Sequence, residues 1–101
     1  MEKKISKSLF VEAREWFDKT GGNSYFSARI SVDGETVGYL PLSYGYESQY
    51  QYSAVAWLIG AGYLEKAPVN IWDLKKLGID VYTVKYSTNK KDAKRWGEIY
   101  K

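Results

Sequence analysis

From Tyr25 to Val32 the chain alternates. Phe26, Ala28, Ile30 and Val32 fall on one side of a period-two repeat, and Tyr25, Ser27, Arg29 and Ser31 on the other. Successive side chains of a strand point to opposite faces, so this pattern predicts a half-buried β-strand. Asp33-Gly34 follows, a pair that suits a tight type I′ hairpin because both residues tolerate positive φ. Thr36 to Leu42 is then the returning strand. Pro41 has no N–H to give to a ladder, which places that strand at an edge or ends it there.

Ser8 to Thr20 supports two patterns. As a helix, Leu9, Phe10, Ala13, Trp16 and Phe17 share one face. Ser8 would cap it, Glu15 and Lys19 would pair one turn apart, and Gly21 would end it. As a strand, Leu9, Val11 and Ala13 alternate with Phe10, Glu12 and Arg14. Periodicity alone predicts the helix. Gly21-Gly22-Asn23 then marks a turn.

Ser48 to Leu64 has helical spacing, with Tyr50, Ala54, Trp57, Leu58 and Ala61 as the buried stripe and Gly60 and Gly62 weakening its end. Pro68 closes the connection. Asn70 with Asp73 three residues on predicts a helix start, and Ile71, Leu74 and Leu77 give it a short apolar face before Gly78. Ile79 to Tyr86, rich in β-branched and aromatic residues, predicts a strand. Ser87, Thr88 and Asn89 start a last helix with Ala93, Trp96 and Tyr100 inward. There is no internal repeat or linker. The expectation is one α+β domain over residues 1–101, an antiparallel sheet with helices packed on one face.

Composition narrows the chemistry. Of 101 residues, 45% are hydrophobic and 17% aromatic, enough for a core, so the chain is expected to fold. Histidine and cysteine are both absent. Disulfides, thiolate metal sites, the common zinc sites and a histidine-dependent triad are therefore excluded. No metal, cofactor or catalytic residue is expected, and no carboxylate, lysine or tyrosine spacing singles out another route. Glu12 and Glu15 read as a solvated pair rather than an acid/base couple. Asp33 and Glu35 are too few to hold a cation. Gly21-Gly22-Asn23 lacks the G-x-x-x-x-G-K-[ST] order of a phosphate loop. The longest apolar run, Ala54 to Ala61, is too short to span a bilayer, and the N-terminal residues lack the apolar core of a signal peptide. A cytoplasmic location follows as an expectation.

Charge is uneven under a net +3. Residues 85–101 hold six basic side chains against two acidic ones, whereas residues 1–84 are near neutral. Between Thr36 and Leu64 the one charge is Glu47. The same stretch holds Tyr39, Tyr44, Tyr46, Tyr50 and Tyr52. Tyrosine has an apolar body and a polar tip, so such a cluster suits either a core edge or a contact surface. Tyr44-Gly45-Tyr46 falls in an expected loop and leads the protein-binding set. Lys90, Lys91, Lys94 and Arg95 form a second candidate, either a solvated helix face or a phosphate-binding patch.

Trp16-Phe17-Asp18-Lys19, Gly22-Asn23-Ser24-Tyr25, Val32-Asp33-Gly34-Glu35 and Tyr44-Gly45-Tyr46 with Gln49-Tyr50 occur in that order. Together they resemble a group of small uncharacterised bacteriophage proteins, in which a W-F-[DQ]-K-x-x-G-N-[ST]-Y hairpin leads to a second hairpin and a Y-G-Y-x-x-Q-Y segment enters a helix. The resemblance covers roughly residues 11–64. It implies a strand rather than a helix at Ser8 to Thr20, and work inside an infected host cell. It carries over no catalytic residue. The expected function is a non-enzymatic binding protein that occludes or modulates a host protein, such as a defence-system inhibitor of the anti-CRISPR kind. The alternative is a nucleic-acid-binding module that uses the basic C-terminal helix and exposed tyrosines. A homodimer through the Thr36–Leu42 edge is also compatible with the sequence.

Overall fold

The computed structural model describes residues 5–65 and 70–99, with side chains of the last helix up to Arg95. Pro68, Tyr100 and the Trp96 side chain, to which the sequence gives roles, lie outside these described residues. The chain runs β1 (Ser8–Asp18), β2 (Asn23–Val32), β3 (Glu35–Tyr44), α1 (Gln49–Gly60), a 3₁₀ helix (Ile71–Leu77), β4 (Asp80–Ser87) and α2 (Lys90–Ile99). The α+β class holds. The strands form one four-stranded sheet in the order β3-β2-β1-β4.

Two expectations about this architecture change. First, Ser8 to Asp18 is a strand, and it is central: β2 pairs with it antiparallel and β4 pairs with it in parallel. The sheet is therefore mixed rather than antiparallel throughout. The strand wins because it buries Leu9, Val11 and Ala13 completely, whereas the helical face would have buried Phe10 and Phe17, which are exposed. Burying each branched aliphatic side chain contributes about 1.5–3 kcal/mol. Second, the helices lie on both faces. Leu9, Val11, Ala13, Phe26, Ala28, Ile30 and Leu40 form a core with Tyr50, Ala54, Val55 and Leu58 of α1. α2 touches β1, β2 and β3. Its Asp92 carbonyl accepts Arg14 Nη1 at 3.0 Å, and Arg14 points away from the core face.

The Asp33-Gly34 turn has the expected geometry, with φ of 53° and 87°. Asp33 does more than turn. Its Oδ1 accepts the N–H groups of Ser6, Lys7 and Ser8 at 3.1, 2.6 and 3.1 Å. Its own N–H donates to the Ser8 carbonyl at 2.9 Å. These bonds tie the start of β1 to the β2–β3 hairpin and hold the Asp33 carboxyl below its usual range, the N–H of Lys7 contributing most. At Asn70 the expected capping box is present, and Gly78 closes the turn with φ 82°. The segment it caps is a 3₁₀ helix rather than an α-helix.

The β2–β3 pairing contains two one-residue register shifts, between Ile30 and Ser31 and between Phe26 and Ala28. Each adds a residue to β3, as a β-bulge does. Pro41 falls beside the second shift, and β3 is an edge strand as its proline implies. These interruptions make β3 a poor template for strand-to-strand pairing with a second copy.

Candidate functional site

A bulge-free hairpin closed by Asp33-Gly34 would set Leu42 opposite Tyr25. The two shifts bring Tyr44 there instead. Because there are two, the side-chain face is preserved. Trp16 of β1 stands opposite Tyr25 on the other side. Trp16, Tyr25 and Tyr44 thus form one row across three adjacent strands at one end of the sheet. Directly opposed side chains lie close enough to touch.

The rings do touch. Trp16 and Tyr25 stack with centroids 5.4 Å apart and planes 26° apart. Tyr25 meets Tyr44 edge-to-face at 5.9 Å, and Tyr44 meets Tyr46 edge-to-face at 5.2 Å. Aromatic pairs prefer these two arrangements over a face-to-face sandwich. Polar tips lock the outer end of the row. Tyr44 OH donates to Tyr46 OH at 3.1 Å, and Tyr46 OH donates to Asn23 Oδ1 at 3.3 Å. Donation to Tyr46, with partial burial next, pushes the Tyr44 phenol above its ordinary value. Tyr44 and Tyr46 nevertheless remain 56% and 45% exposed.

Gly45 between them is buried, and a Cβ there would come within 2.5 Å of the Phe26 ring. The Gly45 N–H donates to the Ser24 carbonyl at 3.1 Å. Glu47 follows in the left-handed region at φ 50°, and its carbonyl accepts Lys85 Nζ at 2.9 Å. The loop carrying Tyr46 is therefore anchored at both ends.

The five candidate tyrosines separate. Tyr44 and Tyr46 stand together on the surface. Tyr39 is half-buried on β3, opposite Arg29. Tyr52 is exposed on α1, beside a small apolar crevice lined by Val55, Ile59 and Ile71. Tyr50 is a correction to the binding set. It is 6% exposed, because the first turn of α1 directs it into the core. The candidate cations Lys90, Lys91, Lys94 and Arg95 are all exposed on α2. Lys90 Nζ lies 5.3 Å from the Trp16 ring centre, so the basic helix and the aromatic row adjoin.

Trp16 and Asn23 belong to this site although neither stood out as a binding residue in the sequence. Only the strand register places them there. The two glutamates of β1 are also resolved: an odd separation on a strand sends them to opposite faces. Glu12 pairs with Arg29 at 2.8 Å and Glu15 with Lys85 at 3.1 Å. Tyr86 donates to Glu12, which raises the Tyr86 phenol above its ordinary value. Among the described residues no three acidic side chains gather where they could hold a metal ion. No helix among them is long and apolar enough to cross a membrane.

No family model matches the chain, and no curated protein or solved structure matches it. Function is therefore argued from the site alone.

Proposed function

We propose that the chain is a non-enzymatic binding protein of phage type, which acts inside a host cell by occluding a host protein, as a defence-system inhibitor of the anti-CRISPR kind does. The carrying observation is the exposed Tyr44–Tyr46 pair, joined by a ring contact and a hydroxyl hydrogen bond at the end of a four-ring row. Tyrosine and tryptophan are enriched where protein interfaces concentrate their energy, and charge is depleted at interface centres. Rings already fixed by packing lose little freedom on docking, a saving of about 0.5–1.5 kcal/mol for each side chain that need not be ordered. The carboxylates Glu12, Glu15 and Asp33 are each committed to structural partners, which favours binding over catalysis. A net positive chain does not suit imitation of DNA.

The second reading, a nucleic-acid-binding module, is favoured by Lys90 lying against Trp16 beside three more exposed cations. It requires binding that weakens steeply with salt.

Affinity purification of the tagged protein from a bacterial host, with a nuclease-treated sample in parallel, separates the two. A stoichiometric protein that survives nuclease supports the inhibitor. Nucleic acid alone, with proteins lost on nuclease treatment, supports the module and removes the first reading.

A further inference from the structure

The aromatic row and the cationic helix meet at one side chain. Lys90 opens α2 with its ammonium over Trp16, and Lys91, Lys94 and Arg95 continue from it along exposed positions. The acids at this end are engaged locally. Asp92 Oδ2 accepts Thr88 Oγ1 at 3.1 Å, Asp18 Oδ1 accepts the Thr20 N–H at 3.0 Å, and Glu15 holds Lys85. Among the described residues, none of the four α2 cations is in an ion pair with a carboxylate. A shallow groove runs beside the row, lined by Trp16, Phe17, Asp18, Lys19, Thr88 and Asn89 among others, with Phe17 exposed on its wall and the Asp18 carboxylate turned to the Thr20 N–H.

We infer that row, groove and helix are one continuous docking surface, and that its occupant is a protein segment with an aromatic or aliphatic anchor flanked by carboxylates. This rests on the protein-binding reading proposed above and adds the chemistry of the partner. The uncharged centre selects the anchor, because exposed rings that a partner covers lose water most favourably to apolar contact. The one-sided cationic border selects the carboxylates, through complementary charge that steers encounter and fixes orientation. Phosphates would satisfy the same border. A run of stacked bases needs several free ring faces, however, and Trp16 is already engaged by both Tyr25 and Lys90, which leaves Phe17 as the exposed ring of the groove.

Fluorescence anisotropy with a labelled random copolymer of glutamate and tyrosine tests this, with polyglutamate and oligothymidylate as comparison probes. The proteins are wild type, Lys91→Glu/Lys94→Glu and Tyr44→Ala/Tyr46→Ala, each confirmed folded by circular dichroism. Both double variants alter exposed side chains. The expected result is that the copolymer binds wild type more tightly than either comparison probe and weakens about tenfold between low and moderate salt. Each variant then loses about tenfold or more in copolymer affinity at low salt. No copolymer binding, equal binding by all three proteins, polyglutamate binding as tightly, or a preference for oligothymidylate would each overturn the inference. The lysate experiment keeps the two readings apart. A nuclease-resistant protein recovered equally by wild type and the lysine variant leaves protein binding standing and removes the acidic partner, whereas failure to recover any protein removes both.

Discussion

Gly38 and Asp33 each carry a contact that fixes their identity. A Cβ at Gly38 would overlap the six-membered ring of Trp57, which packs against β3 there. Gly38→Ala should therefore lower stability by about 1–3 kcal/mol through overpacking. Urea denaturation checks this as a lower midpoint at an unchanged slope. Asp33 gathers three backbone N–H groups, and its carboxyl lies below the usual 3.8. The sign follows directly. A lowered folded-state value means the contribution is present above pH 3.8 and is lost as pH falls through the lower folded value. Asp33→Asn should remove that component, so its stability falls less than wild type between pH 5 and about pH 2. Denaturation midpoints across that range, or amide exchange at Lys7 and Ser8, report it. Asp33-Gly34 was legible in the sequence as a turn. Its second role was not, because Ser6 to Ser8 lie twenty-five or more positions away.

Among the elements, β1 shows where local pattern runs out. Its residues satisfy both a helical stripe, which periodicity alone favours, and a strand alternation, and neighbours on both sides decide for the strand. β2 returns through a tight turn, and β4 arrives in parallel after the whole of α1 and the 3₁₀ helix. That parallel pairing has no local signature, so the mixed sheet was not readable from spacing. The hairpin at Asp33-Gly34, α1 and the Asn70–Asp73 box are governed by adjacent residues, and those were readable. The aromatic row lies between these cases. Tyr44 and Tyr46 are visible as a cluster, but the two β3 shifts that align Tyr44 with Tyr25 and Trp16 appear only in the paired strands. Lys85 joins three elements. It sits on β4, pairs with Glu15 of β1, and donates to the Glu47 carbonyl where the chain enters α1. Both members of the pair are largely shielded, at 26% and 22% side-chain exposure. Lys85→Met should lower stability by about 1–2 kcal/mol and speed amide exchange in residues 45–49. An unchanged exchange rate there would show that the loop does not depend on this anchor.

Across the whole molecule, the fold separates its surfaces. One face of the sheet is closed by α1 over an aliphatic core, and the other supports α2 and ends in the aromatic row. Charge follows the same division, with the cations of α2 beside an uncharged ring cluster. Tyr52 offers an internal control, being as exposed as Tyr44 yet carried on α1 and absent from the row. The most direct measurement is parallel affinity purification from nuclease-treated host lysate with wild type, Tyr44→Ala/Tyr46→Ala and Tyr52→Ala, each checked for an unchanged melting temperature. The row as docking surface predicts a stoichiometric protein partner recovered by wild type and Tyr52→Ala and lost from Tyr44→Ala/Tyr46→Ala. Equal recovery by all three proteins would contradict it.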